Sequence, residues 1–168
     1  MAEEKLENAK MRMVEVGAKI TQDLGLGRIV GQILVQLYLT DGECSLDEIG
    51  ENLGLSKAAV SIAARQLESL GLLQRVWKKK DRKSYYKTPA HLGPALKQGL
   101  MSFIRQKIQF AATELNTLYE ELDKDANKDV VSDEFKFIHK RIKRTKELRD
   151  RAETLIENPL LKLLKKTL

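Results

Sequence analysis

The sequence predicts a mainly α-helical fold, a winged helix-turn-helix flanked by longer N- and C-terminal helices, on three observations. Two short amphipathic patterns meet at Asn52-Leu-Gly-Leu-Ser56. A hairpin-like, strongly basic segment runs from Val76 to Tyr86, and an unbroken heptad stripe follows it. The composition agrees: with 32% charged residues, 5% aromatics and three prolines, long solvated helices are favoured over a β-sandwich or barrel. The chain divides into supporting N-terminal helices over residues 1–42, the winged helix-turn-helix over 43–90, and a helical region over 91–168.

Taken in order, residues 3–23 read as an amphipathic helix with Leu6, Met13, Val16 or Gly17, Ile20 and Leu24 near one face, broken at Gly25-Leu-Gly27. A second helix, 28–39, is apolar almost all round and should be the buried centre of the module. Ser45-Leu-Asp-Glu48 is a capping box, and the helix it starts carries Leu46, Ile49 and Leu53 at helical spacing. Gly54 suits the left-handed position of a tight inter-helix turn, and Ser56 caps a second helix that Gly71 stops. In that helix Val60, Ala63 or Ala64, Leu67 and Leu70 face inward. Residues 72–77 and 84–88 read as strands joined by an exposed turn at 79–83. Trp77, Tyr85 and Tyr86 are expected to pack within this hairpin. Met101, Ile104, Ile108, Ala111, Leu115, Leu118 and Leu122 alternate spacings of three and four. A polar loop at 123–129 precedes a last helix, 132–157, with Phe135, Ile138, Ile142, Leu148, Ala152 and Leu155 inward, and Asn158-Pro159 ends it.

Charge is concentrated where it can act. Residues 75–87 hold seven basic residues and one acid, a local balance of +6 that equals the net charge of the whole chain. A second run, 136–151, also sums to +6, and it is expected to be a solvated helix face pairing with the acidic stretch 105–134. With Val60, Leu67 and Leu70 buried, the second short helix presents Lys57, Ala58, Ser61 and Arg65 outward. Lysine and arginine donate to guanine edges or phosphates, and serine and alanine allow close approach. Ser45 and Ser56 open helices whose free amides suit phosphate oxygens. Lys78, Lys79, Lys80, Arg82 and Lys83 flank the turn, well placed for backbone phosphates or a minor groove. These residues are the candidate contacts with double-stranded DNA.

A helix-turn-helix module ordinarily reads a pseudo-palindromic operator as a two-fold dimer. The heptad stripe, with Met101, Ile104, Ile108, Leu115, Leu118 and Leu122 as its candidate contacts, is therefore expected to join two copies of the chain. Two other readings stay open: a winged-helix module for protein–protein interaction, and a non-specific chromosomal DNA-binding protein.

Catalysis finds little support. His91 and His139 have no cysteine or carboxylate cluster at metal-ligand spacing, and no phosphate-loop, nucleophile-elbow or zinc-protease motif occurs. No enzyme, metal or cofactor is expected. The single Cys44 cannot form an internal disulfide and suits a reducing cytoplasm. Its position before the Ser45 cap raises a redox role only slightly. No signal peptide or membrane span is read, so a cytoplasmic protein without membrane partners is expected.

The chain resembles the MarR-type winged-helix transcriptional regulators, in particular their GbsR-like branch. The likeness rests on Leu24-Gly-Leu-Gly-Arg-Ile-Val-Gly-Gln-Ile33 and Leu46-Asp-Glu-Ile-Gly-Glu-Asn-Leu-Gly-Leu-Ser-Lys57. It extends through Leu67-Glu-Ser-Leu-Gly-Leu-Leu73, Arg75-Val-Trp77 and Arg82-Lys-Ser-Tyr-Tyr86. It implies a homodimeric regulator, usually a repressor, with terminal helices at the dimer interface. The identity of any small-molecule effector is left open.

Overall fold

The computed structural model describes residues 1–79, 81–126 and 132–157. The chain forms two compact units, Met1–Ser102 and Phe103–Leu168. In the first, α1 (Ala2–Asp23) packs along α2 (Arg28–Tyr38), followed by β1 (Cys44–Ser45), α3 (Leu46–Leu53), α4 (Lys57–Ser69), β2 (Gln74–Val76) and β3 (Tyr85–Lys87). A long helix, α5 (Leu92–Ala126), begins in the first unit and continues in the second, which α6 (Asp133–Glu157) completes.

α2 is the hub, with Val30, Gly31, Ile33, Leu34 and Leu37 all buried, as its all-round apolarity predicts. α1 meets it through small residues. Val14, Ala18 and Thr21 are buried, whereas Leu6, Met13, Val16, Ile20 and Leu24 are exposed in this chain. The apolar stripe read from the sequence thus flanks the buried face of α1, with Ile20 and Leu24 lining a cavity beside it. The inner face is chosen by approach distance: a Cβ on Gly31 would sit 2.1 Å from the Gly17 carbonyl oxygen, so the backbones touch where side chains are missing. Thr21 Oγ1 lies 2.9 Å from the Gly27 carbonyl oxygen and 3.1 Å from that of Gly17, tying the α1–α2 corner together.

The helix-turn-helix forms as its capping signals dictate. Ser45 Oγ accepts from the Glu48 amide at 3.3 Å, and the Glu48 carboxylate accepts from the Ser45 amide at 2.6 Å, completing the capping box. Gly54 takes φ +64° at the turn between α3 and α4. Ser56 caps α4, its Oγ accepting from the Ala59 amide at 3.3 Å. Ile49, Val60, Ala63, Ala64, Leu67 and Leu70 are buried, as their spacing predicts.

The sheet is antiparallel in the order β1-β3-β2. Cys44 stands opposite Tyr86 on one side of β3, and Arg75 stands opposite Tyr86 on the other. The two-residue β1 was not legible in the sequence, because it is too short to show alternation. The hairpin strands are shorter than expected, and Trp77 lies outside them, 70% exposed, so only Tyr86 of the three hairpin aromatics is fully buried.

In the second unit α5 remains helical to Ala126, so residues 123–126 belong to the helix rather than to the expected loop. The rest of that loop, the Lys80 wing position and the tail beyond Glu157 lie outside the described residues, as do the side chains of Ala152 and Leu155. Along α6 the half-buried face is Phe135, His139, Ile142, Lys146 and Arg149. Ile138 and Leu148, expected inward, are exposed. The helix is rotated so that His139 stacks on Tyr119 of α5, ring centroids 5.2 Å apart, and Arg149 donates to the Asn116 side-chain oxygen at 3.2 Å.

Candidate nucleic-acid interface

The outward face of α4 is set by the four residues it buries. With Val60, Ala63, Ala64 and Leu67 inward, Lys57, Ala58 and Arg65 are exposed and Ser61 is half-buried. This face also carries Ile62, 61% exposed, which sequence reasoning missed. The signal was present, since a residue next to two buried alanines and two after Val60 falls off the inner stripe. An exposed β-branched residue on an otherwise polar helix face offers a methyl surface of the kind that meets thymine C5-methyl groups.

Ser56 is exposed at the start of α4. Ser45 is different: it is only 2% exposed, and the capping box occupies both its amide and its hydroxyl. Its place as a direct phosphate contact is therefore withdrawn. It holds α3 in position behind α4.

The wing is braced by Asp81. One carboxylate oxygen accepts from the Lys83 amide at 2.8 Å and the other from the Tyr85 hydroxyl at 2.7 Å. These bonds hold the Asp81 carboxyl below its usual range, and the bond to Asp81 pushes the Tyr85 phenol up to about 12. Arg75 donates to Ser84 Oγ at 2.6 Å and its guanidinium lies 4.2 Å from the centre of the Trp77 ring. Lys78 pairs with Glu43 at 3.1 Å and sits 4.0 Å over Tyr85. Thus Arg75, Lys78 and Lys83 are held by neighbours, whereas Arg65, Lys79 and Arg82 make no ion pair among the described residues.

Cys44 is buried opposite Tyr86. Burial first, and the Glu48 carboxylate second, push its thiol up, which keeps it protonated and disfavours a redox role. Among the described residues no group of histidine, cysteine and carboxylate side chains is arranged to hold a metal. None of their helices is long and apolar enough to cross a membrane.

A separate cavity of about 390 Å³ opens among α1, α2, the end of α4 and the first turns of α5. Thr21, Val35, Leu67, Leu72, Leu96 and Leu100 are among the residues lining this almost wholly apolar space. The candidate dimerisation residues lie on α5: Met101, Ile104, Ile108, Leu115 and Leu122 are half-buried and Leu118 is exposed.

This geometry has counterparts. A solved structure described as that of a transcriptional regulator superposes with a TM-score of 0.68 at 21% identity, covering 94% of this chain and 99% of that one. The HTH-type transcriptional repressor OpcR of Bacillus subtilis (strain 168) is 27% identical over 81 residues, which span 48% of this chain and 44% of that relative. The match therefore reaches less than half the length of that repressor. Residues 24–84, from the end of α1 through the helix-turn-helix to the wing, match the model of the MarR family. Over those residues the chain is similar to the MarR family, within a fold shared along nearly its whole length with that solved structure.

Proposed function

We propose that the protein is a sequence-specific, double-stranded DNA-binding regulator that works as a homodimer, most simply as a repressor. The observation that carries this reading is the joint exposure of Ile62 and Arg65 on α4 with Lys79 and Arg82 of the wing, which make no ion pair among the described residues. One surface thereby offers apolar and hydrogen-bonding groups for base edges, and the next offers free cations for phosphates. In this reading α4 enters the major groove, and two copies read half-sites about one helical turn apart in a pseudo-palindromic operator. That OpcR is a repressor supports the repressing role. The Leu24–Ile33 segment and the Tyr85-Tyr86 wing support a GbsR-like branch. The apolar cavity has the size of a small-molecule site and supports an apolar effector of unknown identity.

Selection of bound sequences from a random duplex pool tests the proposal. A palindromic consensus is expected. Binding without enrichment points to a non-specific chromosomal protein, and no binding points to a protein–protein module. If the dimer neutralises roughly 6–8 phosphates, log K should fall against log salt with a slope of about −5 to −7. Arg65→Ala should relax sequence preference, whereas Lys79→Ala should weaken all duplexes alike. Identical behaviour of the two variants contradicts this division of roles.

A further inference from the structure

The first turn of α3 carries two acids with different employments. Glu48 turns back into the capping box. Asp47 points the other way and bridges two ammonium groups from separate elements. Its Oδ1 lies 2.8 Å from Lys57 Nζ on α4, and its Oδ2 lies 3.7 Å from Lys83 Nζ on the wing. Both lysines are more than half exposed, so neither needs this partner to offset burial. The hydrogen bond from Lys57, and then the two positive charges, hold the Asp47 carboxyl below its usual range, so it stays ionised at neutral pH.

A helix-terminal acid of this kind has a structural role through the dipole of α3, but that role asks for no particular partner. What stands out is the arrangement, one oxygen to each lysine, across the gap between the recognition helix and the wing. A phosphodiester bridging the same two lysines would present the same pattern of two oxygens and one negative charge. Resting on the DNA-binding reading above, we infer that Asp47 is an internal stand-in for a DNA phosphate. In the free protein it restrains Lys57 and Lys83 against each other, and a duplex must displace it before both lysines can serve. The carboxylate thus subtracts about one charge from the interface for every sequence alike. Only a duplex that also satisfies Ser61, Ile62 and Arg65 recovers the loss through base contacts. Asp47 thereby sets an affinity threshold: it weakens every duplex alike, and only one that also engages the α4 face stays tightly bound.

The test compares wild type with Asp47→Asn, which keeps size and removes charge, and with Asp47→Glu, which keeps charge. Anisotropy titrations use a random-sequence duplex of about 30 base pairs, about three helical turns, over a series of salt concentrations. Asp47→Asn should bind about two- to tenfold more tightly, with a salt slope steeper by about one. Asp47→Glu should stay close to wild type. An unchanged or weaker Asn variant with an unchanged slope overturns the inference. Should the Asn variant lose helicity, Asp47→Ser supplies a second neutral side chain suited to a helix start. A DNA-free measurement separates the inference from the reading beneath it: acetylation of Lys57 and Lys83 by an N-hydroxysuccinimide ester, followed by mass spectrometry. Both should react faster in Asp47→Asn, with Lys79 unchanged. Equal rates overturn the restraint itself. Absence of duplex binding by wild type overturns the DNA reading, and the phosphate role of Asp47 with it.

Discussion

α4 and α6 invert one another. The inner face of α4 is Val60, Ala63, Ala64 and Leu67, and its charges project to solvent. The half-buried face of α6 includes His139, Lys146 and Arg149, while Phe137, Ile138 and Leu148 are exposed. Arg149 has only 15% of its side chain accessible, and its Nε finds no hydrogen-bond partner among the described residues. On α4 the one large apolar residue left exposed is Ile62. The α6 surface leaves large apolar groups in water, and on α5 so does Phe110. The contrast lies between the two helices rather than the two units, since in the first unit Leu6, Met13, Val16 and Ile20 of α1 are exposed as well. In the homodimer proposed above, a second copy covers the exposed apolar residues of α6.

The most damaging way to probe the unit that holds α4 is to separate α1 from α2. Gly31→Val places a branched side chain where even a Cβ meets the Gly17 carbonyl at 2.1 Å. Backbone has no rotamer to yield, so the cost should be about 3 kcal/mol or more, read as a loss of thermal stability or of soluble protein. Gly93→Ala is the contrast, because nothing lies within 4 Å of its Cβ, and a helical alanine should leave stability unchanged or raised. Equal damage from both would mean that α1 and α2 are not held by this close approach.

The exposed apolar face of α6 predicts the opposite behaviour. Phe137→Glu and Leu148→Glu alter exposed positions, so the secondary structure of the chain should survive. The dimer should weaken, by about 2 kcal/mol or roughly thirtyfold in Kd for an aromatic seated in an interface. Sedimentation at a series of concentrations reads this directly. Variants that stay dimeric while DNA affinity is unchanged would remove these residues from the interface and leave the α5 stripe to carry it.

The two regions were also unequally legible in the sequence. Caps and turns are local chemistry, so Ser45, Glu48, Gly54, Ser56 and Gly71 could be read one by one and all stand where expected. The rotation of a helix is not local. In α6 the apolar positions Ile138 and Leu148 suggest one inner face, yet Tyr119 and Asn116 on α5 recruit His139 and Arg149 and turn the helix to another. In α1 the same failure arises from glycines, whose close approach outweighs an apolar stripe. The interface lay between these cases. Its cations were legible as a charge run, but their acids, Glu43 and Asp47, belong to other elements and only the fold brings them near.

The smallest effects should come from the capping box that positions α4 from behind. Ser45→Ala removes the acceptor for the Glu48 amide at a buried N-cap, a loss of about 1 kcal/mol in a denaturant titration. Glu48 adds a pH dependence whose sign follows from its bonds. Hydrogen bonds from the Ser45 amide and hydroxyl hold the Glu48 carboxyl below its usual value of 4.5, so the folded state binds its proton less readily than the unfolded chain does. The stability this contributes is therefore complete above about pH 4.5 and fades as pH falls through the lower folded value. Glu48→Gln, which stays neutral throughout, should be less stable than wild type near pH 7 and should converge on it in acid. A constant difference across that range would show that the carboxylate charge adds nothing to the cap. The cap of α3 would then rest on the Ser45 hydroxyl alone.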